Sequence, residues 1–473
     1  MEMDATASDK KDGRDLRRVL TTIPATSIIV AGVIGTGVFI KAKVMIVNVQ
    51  TPGMVLLVYL LAGLLTLGGS LVYAELSTMI PRTGGQVNYI GAAFGRRLAF
   101  LSSWTAFCAR LSGTAAIAIL TVVFLNDLLG GTLSPMMLKI LPILFISIVT
   151  FLNLSSVRSM GWFATAMTLV KIVLILLVSL TALKATQGSW DFYSLSVTES
   201  LGEVGSKMPS GGFGGFSAAM LGALWSYAGW GYIATIAGEV KNPSKTLPRS
   251  LVGASLLIIS FYILINMAYF FALTPTEIAN IPAGRSVAAM VMESVGAPFM
   301  VSVMAIGLFL SSLGTMHSGM LTDSRVPYTI ASKGLAPKAL GRISQKGVPT
   351  YSVLILGIGG MILTTTGSFD LLTDLCVFIT LSFSALASAS LFVLRKTHPN
   401  THRPYRVWGY PVIPALYIGV ILFLLINTFI AMPERSAAGL LLVLLGLPVY
   451  SYYSRKIAPD NPKDWLAPDP GQA

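Results

Sequence analysis

The chain has 473 residues, of which 54% are hydrophobic and only 11% are charged. Soluble domains carry about 25% charged residues, so this composition excludes an ordinary water-soluble protein. The net charge of +13 does not indicate nucleic-acid binding, because most Lys and Arg residues fall in short segments between long apolar runs.

About twelve apolar runs follow one another along the chain, most of them about 20 residues long, which is enough to span a bilayer as an α-helix. Continuous runs, rather than the alternation of a transmembrane barrel, predict an all-α polytopic membrane protein. The predicted spans are 23–48, 54–76, 94–125, 140–157, 162–183, 213–238, 250–273, 297–322, 352–368, 371–394, 411–432 and 437–454.

The distribution of Lys and Arg predicts the orientation of these spans. With a cytoplasmic N-terminus, 24 of the 33 Lys and Arg residues fall on inside segments and 7 on outside segments. Inside segments of membrane proteins carry such an excess. We therefore predict a cytoplasmic (plasma) membrane protein with both termini in the cytoplasm. Residues 1–18 are polar and charged, so no cleavable signal peptide is predicted.

Glycines interrupt the first and the sixth spans near their middles. The first span contains Gly32, Gly35 and Gly37, and the sixth contains Gly229 and Gly231. Each glycine weakens a helix by about 1 kcal/mol relative to alanine. Close helix packing alone can account for one such stretch. A pair of them, at equivalent positions of two five-span units, indicates inverted repeats and a transport site where the breaks meet.

Broken helices leave backbone groups without intrahelical partners. A substrate carboxylate can bind the N–H groups of Gly35–Gly37, at the positive end of the outer half-helix. A substrate ammonium group can bind carbonyl oxygens around Ile34 and Tyr227-Ala228. The predicted substrate is therefore a zwitterion with both groups on one carbon, an α-amino acid.

Several charged residues lie within or near the ends of spans. A charge at mid-bilayer costs at least about 2.5–3.5 kcal/mol, so Lys171 in the fifth span is predicted to face the protein interior. Arg110 in the third span is predicted to form an internal structural ion pair. Glu75, Glu239 and Asp323 are predicted to make gate or loop contacts near inner ends of spans. Their predicted partners are Arg82, Lys241 and Arg325.

Short motifs from about residue 19 to 454 resemble those of the amino acid–polyamine–organocation (APC) transporters, most closely the L-type amino acid transporter branch. They are Gly35–Phe39, Tyr73–Leu76, Pro81–Gln86 with Tyr89, Tyr227–Gly229 with Trp230, Glu239–Pro243, Leu247–Arg249, Ser324-Arg325 with Gly334, and Arg403–Arg406 before Pro411 and Pro414. The resemblance implies the LeuT-like APC fold, a five-plus-five inverted repeat with two C-terminal helices and with spans one and six broken.

On this basis the chain divides into six parts. They are a cytoplasmic tail (1–18), the first repeat (19–183), an extracellular loop (184–212), the second repeat (213–396), spans eleven and twelve (397–456) and a cytoplasmic tail (457–473).

The resemblance also assigns residues. The substrate-binding set is Ile34, Gly35, Thr36, Gly37, Trp225, Ser226, Tyr227, Ala228 and Gly231. Trp225 matches an aromatic lid over the substrate, and Gly231 matches the position that shapes the side-chain pocket. A glycine there leaves space and no charge, which favours neutral substrates. Lys171 matches a lysine that replaces the sodium ion of distant relatives, although a proton-carrier role stays open. Its expected companions are Ser311, Ser312 and Thr315.

The predicted function is secondary active transport of neutral α-amino acids by alternating access, as sodium-independent exchange. A proton-coupled symporter and a cationic amino acid or polyamine exchanger are the alternatives. A membrane enzyme would need clustered His, Asp and Glu, and a receptor would add a long tail. We therefore predict no catalytic residues, no cofactor, no metal site and no nucleic-acid partner. Residues 126–139 contain no cysteine, so no obligate heavy-chain glycoprotein is predicted; a homo-oligomer is compatible with the sequence.

Overall fold

The computed structural model of the chain describes residues 18–35, 37–155, 157–185, 187–197, 212–282, 285–296, 298–366, 369–431, 433–457 and 463–466. This described part is helical and contains no β-strand beyond two isolated bridges. The helices are α1 (Thr22–Val33), α2 (Gly37–Val49), α3 (Pro52–Met79), α4 (Gln86–Phe94), α5 (Arg96–Leu128), α6 (Pro135–Leu152), α7 (Val157–Ala182), α8 (Gly212–Tyr227), α9 (Tyr232–Thr235), α10 (Pro243–Ala272), α11 (Pro275–Ala279), α12 (Val287–Ser294), α13 (Pro298–Asp323), α14 (Arg325–Ser332), α15 (Thr350–Thr366), α16 (Phe369–Thr397), α17 (Val412–Ala431), α18 (Pro433–Ser454) and α19 (Lys463–Leu466).

Each of the twelve predicted spans corresponds to one long helix or to one interrupted pair of helices. Eight described helices are long and apolar enough to cross a membrane, and α1 with α2 makes a ninth span bent by 42°. Helices α8 and α15 have 16 and 17 residues and fall short of the roughly 20 that cross a bilayer unaided. The fold is that of a polytopic α-helical membrane protein.

Five short helices lie in segments where the sequence predicts loops or tails: α4, α11, α12, α14 and α19. They have between 4 and 9 residues, too few to show a membrane-span pattern. The predicted tail 1–18 lies outside the described residues except for Arg18. The loop 184–212 and the tail 457–473 are described only in part.

Helix packing repeats between the two five-span units. Helix α10 packs on α3, and α5 packs on α13, so equivalent helices of the two units pair with each other. The contacts of α1 with α10, α5 with α16 and α5 with α15 have counterparts in α8 with α3, α13 with α7 and α13 with α6. This packing is what a five-plus-five repeat requires.

One end of the bundle holds both ends of the described chain, with Val19 and Trp465, and we call it the tail end. There the amides of Val19 and Leu20 donate to the Glu239 carbonyl oxygen at 2.9 and 3.0 Å. The Glu239 carboxylate binds the Arg325 guanidinium at 2.8 Å, and both side chains are fully buried. This contact was among the predicted ones.

The Glu75 carboxylate contacts residues that were not among its predicted partners. It binds Arg395 at 2.6 Å and accepts the Val407 amide at 2.6 Å. Arg403 lies 3.5 Å away. Arg395 lies in the last turn of α16, and α16 packs on α3, which carries Glu75. The ion pair therefore depends on packing between distant segments. Arg82, the expected partner, donates to the Asp464 carbonyl oxygen instead.

Candidate functional site

The two helix breaks face each other in the middle of the bundle. A Cβ added at Gly37 would lie 2.8 Å from Ser226 Cα, and one at Gly32 would lie 2.5 Å from the Tyr232 ring. Gly229 adopts φ +108°, a conformation that favours glycine. Glycines in both spans therefore allow the first and sixth spans to approach more closely than side chains would permit.

These contacts predict different effects for two alanine substitutions. Gly37→Ala would push the Ser226 backbone away, at a cost of about 1–3 kcal/mol for overpacking. We expect a loss of apparent substrate affinity. In the control Gly253→Ala, on α10, the added Cβ would meet nothing within 4 Å. Substrate competition assays on both variants test this; equal affinities would contradict the close approach at Gly37.

Tyr262, on α10, links the two breaks. Its hydroxyl oxygen lies 3.1 Å from the Val33 carbonyl oxygen and 2.7 Å from the Ser226 carbonyl oxygen. Both carbonyls belong to residues next to a break, where helical partners are missing. The tyrosine is fully buried and holds the two unwound segments in register. A tyrosine in an apolar span carries no pattern of its own, so the sequence alone does not single out Tyr262.

Lys171 is fully buried between the first and eighth spans. Its ammonium donates to the Ala31 carbonyl oxygen at 2.5 Å and to Thr315 Oγ1 at 2.7 Å. Thr315 Oγ1 also lies 3.0 Å from the Ser311 carbonyl oxygen. The Ser312 hydroxyl instead contacts Thr121 at 2.8 Å. Of the three expected companions, Thr315 contacts the ammonium directly.

A cavity of about 570 Å³, including its open mouth, lies against the breaks. Its lining residues come from α1, the start of α2, α5, the second break with its flanking helices, and α13. They are Gly32, Val33, Gly35, Gly37, Arg110, Gly113, Thr114, Ile117, Trp225, Ala228, Tyr232, Thr315, Met316, Gly319 and Asp323.

Three polar side chains form the tail-end wall of this cavity, which we call the floor: Arg110, Tyr232 and Asp323. Arg110 Nε lies 3.1 Å from Asp323 Oδ1, and Arg110 Nη1 donates to the Tyr232 hydroxyl at 2.9 Å. The guanidinium also lies over the Tyr232 ring, 4.8 Å from its centroid. Arg110 thus forms the predicted internal ion pair, and it also contributes to the wall of the cavity.

The cavity brings together only part of the predicted substrate-binding set. Gly35, Gly37, Trp225 and Ala228 line it, as does Thr315. The remaining described members, which are not among its lining residues, are Ile34, Ser226, Tyr227 and Gly231. Thr36 lies outside the described residues.

Two of the residues that do not line the cavity make contacts behind its wall. The Tyr227 hydroxyl donates to the Tyr59 carbonyl oxygen at 3.0 Å, and Gly231 faces Tyr73. The role of Gly231 in a side-chain pocket therefore stays a prediction. The floor was the main feature that sequence reasoning missed, since Asp323 and Tyr232 acquire their relation to Arg110 only through folding.

At the first break, the N–H groups of Gly35–Gly37 were predicted to bind a carboxylate, but the Gly35 amide already has a backbone partner. The Gly35 amide is directed at the Val33 carbonyl oxygen at 2.7 Å. The donors without intrahelical partners are therefore the first amides of α2, which begins at Gly37. The positive end of this 13-residue helix is suited to a carboxylate.

Across the described residues, no three His, Cys, Asp or Glu side chains converge as metal ligands. His317 is buried, with Nδ1 3.0 Å from Asn153 Nδ2, and it packs edge-on against Phe163. His317 is therefore a packed helix-face histidine.

Comparison with known proteins gives consistent matches over nearly the whole chain. Residues 20–449 match a family described as "Amino acid permease". The serine/threonine exchanger SteT of Bacillus subtilis is 28% identical over 447 residues, covering 92% of this chain and 96% of that protein. The human cystine/glutamate transporter is 29% identical, covering 92% and 85%. The mouse large neutral amino acids transporter small subunit 2 is 28% identical, covering 94% and 83%.

Proposed function

Because the chain belongs to the amino acid permease family, we propose that it exchanges neutral α-amino acids across a membrane by alternating access. The charge balance of the cavity carries this proposal. The charged side chains among its lining residues are Arg110 and Asp323, and they pair at 3.1 Å. A wall without net charge favours neither a cationic nor an anionic substrate side chain, because each would have to break this ion pair.

The names of the relatives include both neutral and charged amino acid substrates. One is a serine/threonine exchanger and another a large neutral amino acids transporter, whereas a third is a cystine/glutamate transporter. Proteins of similar overall sequence therefore differ in the charge of the side chain that they accept. The Arg110–Asp323 pair supports a place for this chain among those that accept neutral side chains.

The helix breaks supply contacts for the groups that all α-amino acids share. We propose that the substrate carboxylate binds the first amides of α2, near Gly37, and that its ammonium group binds carbonyl oxygens near Ala228. Trp225, which lines the cavity at the end of α8, is then placed to cover the substrate. Ile34, Ser226 and Tyr227 would act as backbone around this site, while their side chains pack elsewhere.

Lys171 supports sodium-independent transport. Its ammonium is a fixed cation that already contacts a carbonyl and a hydroxyl oxygen of spans one and eight, the kind of oxygen ligands that a sodium ion would need. We propose that it replaces such an ion. A proton-carrier role is the alternative and predicts a dependence on the pH gradient.

Orientation and assembly belong to the same proposal. The excess of Lys and Arg supports a cytoplasmic tail end. Residues 19–183 and 213–396 would be the two repeats. The absence of cysteine from residues 126–139 supports a subunit that needs no disulfide-linked partner. Purification of a functional chain alone tests this last point; transport that requires a second, disulfide-linked subunit would contradict it.

The direct test is uptake of radiolabelled alanine, serine and leucine into proteoliposomes, with and without unlabelled amino acid inside. Exchange predicts strong stimulation by internal amino acid. Arginine and glutamate should compete weakly, because both would disturb the floor ion pair. Uptake without internal amino acid, driven by an inward pH gradient, would identify a symporter. Failure to transport any neutral amino acid would contradict the proposal.

Sodium independence is tested in the same vesicles by replacing external Na⁺ with K⁺ at constant ionic strength. We expect equal initial exchange rates, since the Lys171 ammonium occupies the position between the first and eighth spans. A severalfold loss of rate in K⁺ would contradict the proposed replacement.

A further inference from the structure

The C-terminal segment α19 docks on the tail end of the bundle. Trp465 is only 2% exposed and has the largest side chain among the fully buried residues that the structure describes. Its ring fills a notch at Gly91 on α4, where an added Cβ would lie 2.3 Å from the ring. The Lys333 ammonium lies 5.0 Å from the ring centroid, within cation–π range. A tryptophan beyond the last span is therefore buried like a core residue.

The backbone of α19 joins two separate segments of the chain. The Asp464 carbonyl oxygen accepts hydrogen bonds from Arg82 Nη1 at 3.0 Å and from Lys333 Nζ at 2.7 Å. Arg82 belongs to the loop Pro81–Gly85 that follows α3, and Lys333 follows α14. The segment therefore cross-links this loop to the end of α14.

The same loop supports the tail-end half of the broken sixth span. The Gly84 amide donates to the Thr235 carbonyl oxygen at 2.8 Å, and the Thr329 hydroxyl donates to the Thr83 carbonyl oxygen at 3.2 Å. The Thr235 hydroxyl in turn contacts the Thr322 carbonyl oxygen of α13 at 3.2 Å. The loop thus lies between α9 and α14, next to the contact that closes spans six and eight below the floor.

We propose that α19 is a strap that restrains opening of the tail end. With Trp465 in its notch, the loop Pro81–Gly85 is fixed against α14, and α9 is fixed against the loop. Separation of spans six and eight at this end then requires the strap to leave the notch or the loop to deform. The occupant of the notch is the chain's own C-terminal segment, so opening is coupled to its release.

The strap is tested by labelling a single cysteine with a membrane-impermeant maleimide in detergent. The reporter is Ala234→Cys, at a buried position of α9, in a chain with Cys108→Ser and Cys376→Ser. We expect Trp465→Ala to raise the labelling rate at least 5-fold. The matched control is Trp408→Ala, since Trp408 is 77% exposed and should leave the rate unchanged. Equal rates in the parent, the Trp465 variant and the control would overturn the proposal.

A second variant disrupts the contact between Trp465 and Gly91 by changing Gly91. Gly91→Ala should expel the Trp465 ring and reproduce the faster labelling without any change in α19. Combined with Trp465→Ala, it should add nothing, because the ring that it displaces is already gone. Such non-additivity is the signature of two residues in contact. Additive effects, or a slow Gly91→Ala variant, would contradict the strap.

Two further measurements distinguish release of the strap from general unfolding, and test the strap independently of the proposed transport. Ser70 is fully buried against Ser255 inside the bundle, so Ser70→Cys in the same cysteine-free background must stay unlabelled in every variant. The labelling rate needs no substrate and decides the strap even if no tested amino acid is transported. In active proteoliposomes, Trp465→Ala should also raise the exchange rate severalfold. A lower exchange rate, with the labelling rate equal to that of the parent chain, would contradict a restraining role.

Discussion

Replacement of Lys171 by methionine is expected to abolish amino acid exchange while the protein stays folded. Methionine keeps much of the volume of the lysine stem and removes the ammonium group. Two hydrogen bonds from a charged donor, to Ala31 and Thr315, are lost with it. Such bonds contribute about 1.5–3 kcal/mol each. A tenfold change corresponds to about 1.4 kcal/mol, so we expect the exchange rate to fall by at least about 100-fold.

The thermal stability of Lys171→Met, unlike its exchange rate, is not expected to fall. Loss of the ammonium group also removes the desolvation cost of a buried charge, which offsets the loss of its two hydrogen bonds. The Thr315 hydroxyl also keeps the Ala31 carbonyl oxygen within 3.2 Å. We therefore expect the thermal unfolding midpoint in detergent to be unchanged or slightly raised.

Two variants serve as controls for Lys171→Met. Lys184→Met removes an exposed lysine just beyond the end of the same helix and should leave the exchange rate unchanged. Thr315→Val removes one of the two acceptors and should give an intermediate loss of about tenfold, the equivalent of one hydrogen bond. If Lys171→Met retains more than half of the parent exchange rate, the ammonium is dispensable and its proposed role is wrong.

Replacement of Glu239 by alanine should cause the largest loss of stability. It leaves the Arg325 guanidinium, which is 0% exposed, without its carboxylate at the tail end. An unpaired buried charge of this kind costs about 3–5 kcal/mol. We expect a clearly lowered thermal unfolding midpoint and poor recovery after purification.

The control is a glutamate–arginine pair in a different environment. Glu293, on α12, pairs with Arg285, and the Glu293 side chain is 39% exposed. Exposed pairs contribute about 0–1 kcal/mol, so Glu293→Ala should change the midpoint little.

A double substitution separates loss of the pair from damage to packing. Glu239→Leu with Arg325→Met replaces both charges by apolar side chains and should recover most of the stability lost by Glu239→Ala. No recovery would show that the pair acts through packing and not through charge compensation. Thermal unfolding followed by size-exclusion chromatography measures all four proteins under the same conditions.

The ion pairs illustrate where sequence reasoning reached its limit. The Glu239–Arg325 contact could be expected, because each residue stands near a span end on the same predicted side of the membrane. Glu75 and Asp323 could not be paired correctly, since their partners Arg395 and Arg110 lie 320 and 213 positions away. Their distance in the folded chain depends on how α16 packs on α3 and how α13 packs on α5. No local pattern encodes that packing.

In the candidate site, too, some features follow from the local sequence and others only from the folded structure. The glycines of the first and sixth spans could be recognised as breaks because helix propensity is a local property. Which side chains then face the cavity depends on the rotation of each half-helix about its axis. The structure turns Tyr227 towards Tyr59 and Gly231 towards Tyr73, while Tyr232 faces the cavity. A shift of one residue rotates a helical position by about 100°, so spacing near a break does not determine the facing side.

The sequence by itself determined the class of this protein, the positions of its twelve spans, the two broken helices and the buried position of Lys171. Each follows from local hydropathy, from glycine content or from the cost of a charge in lipid, and none depends on distant segments. Only the tertiary structure decided that Arg110, Tyr232 and Asp323 form one floor and that Trp465 occupies a notch at Gly91. Those contacts join residues far apart in the chain, and their geometry exists only when the helices have packed.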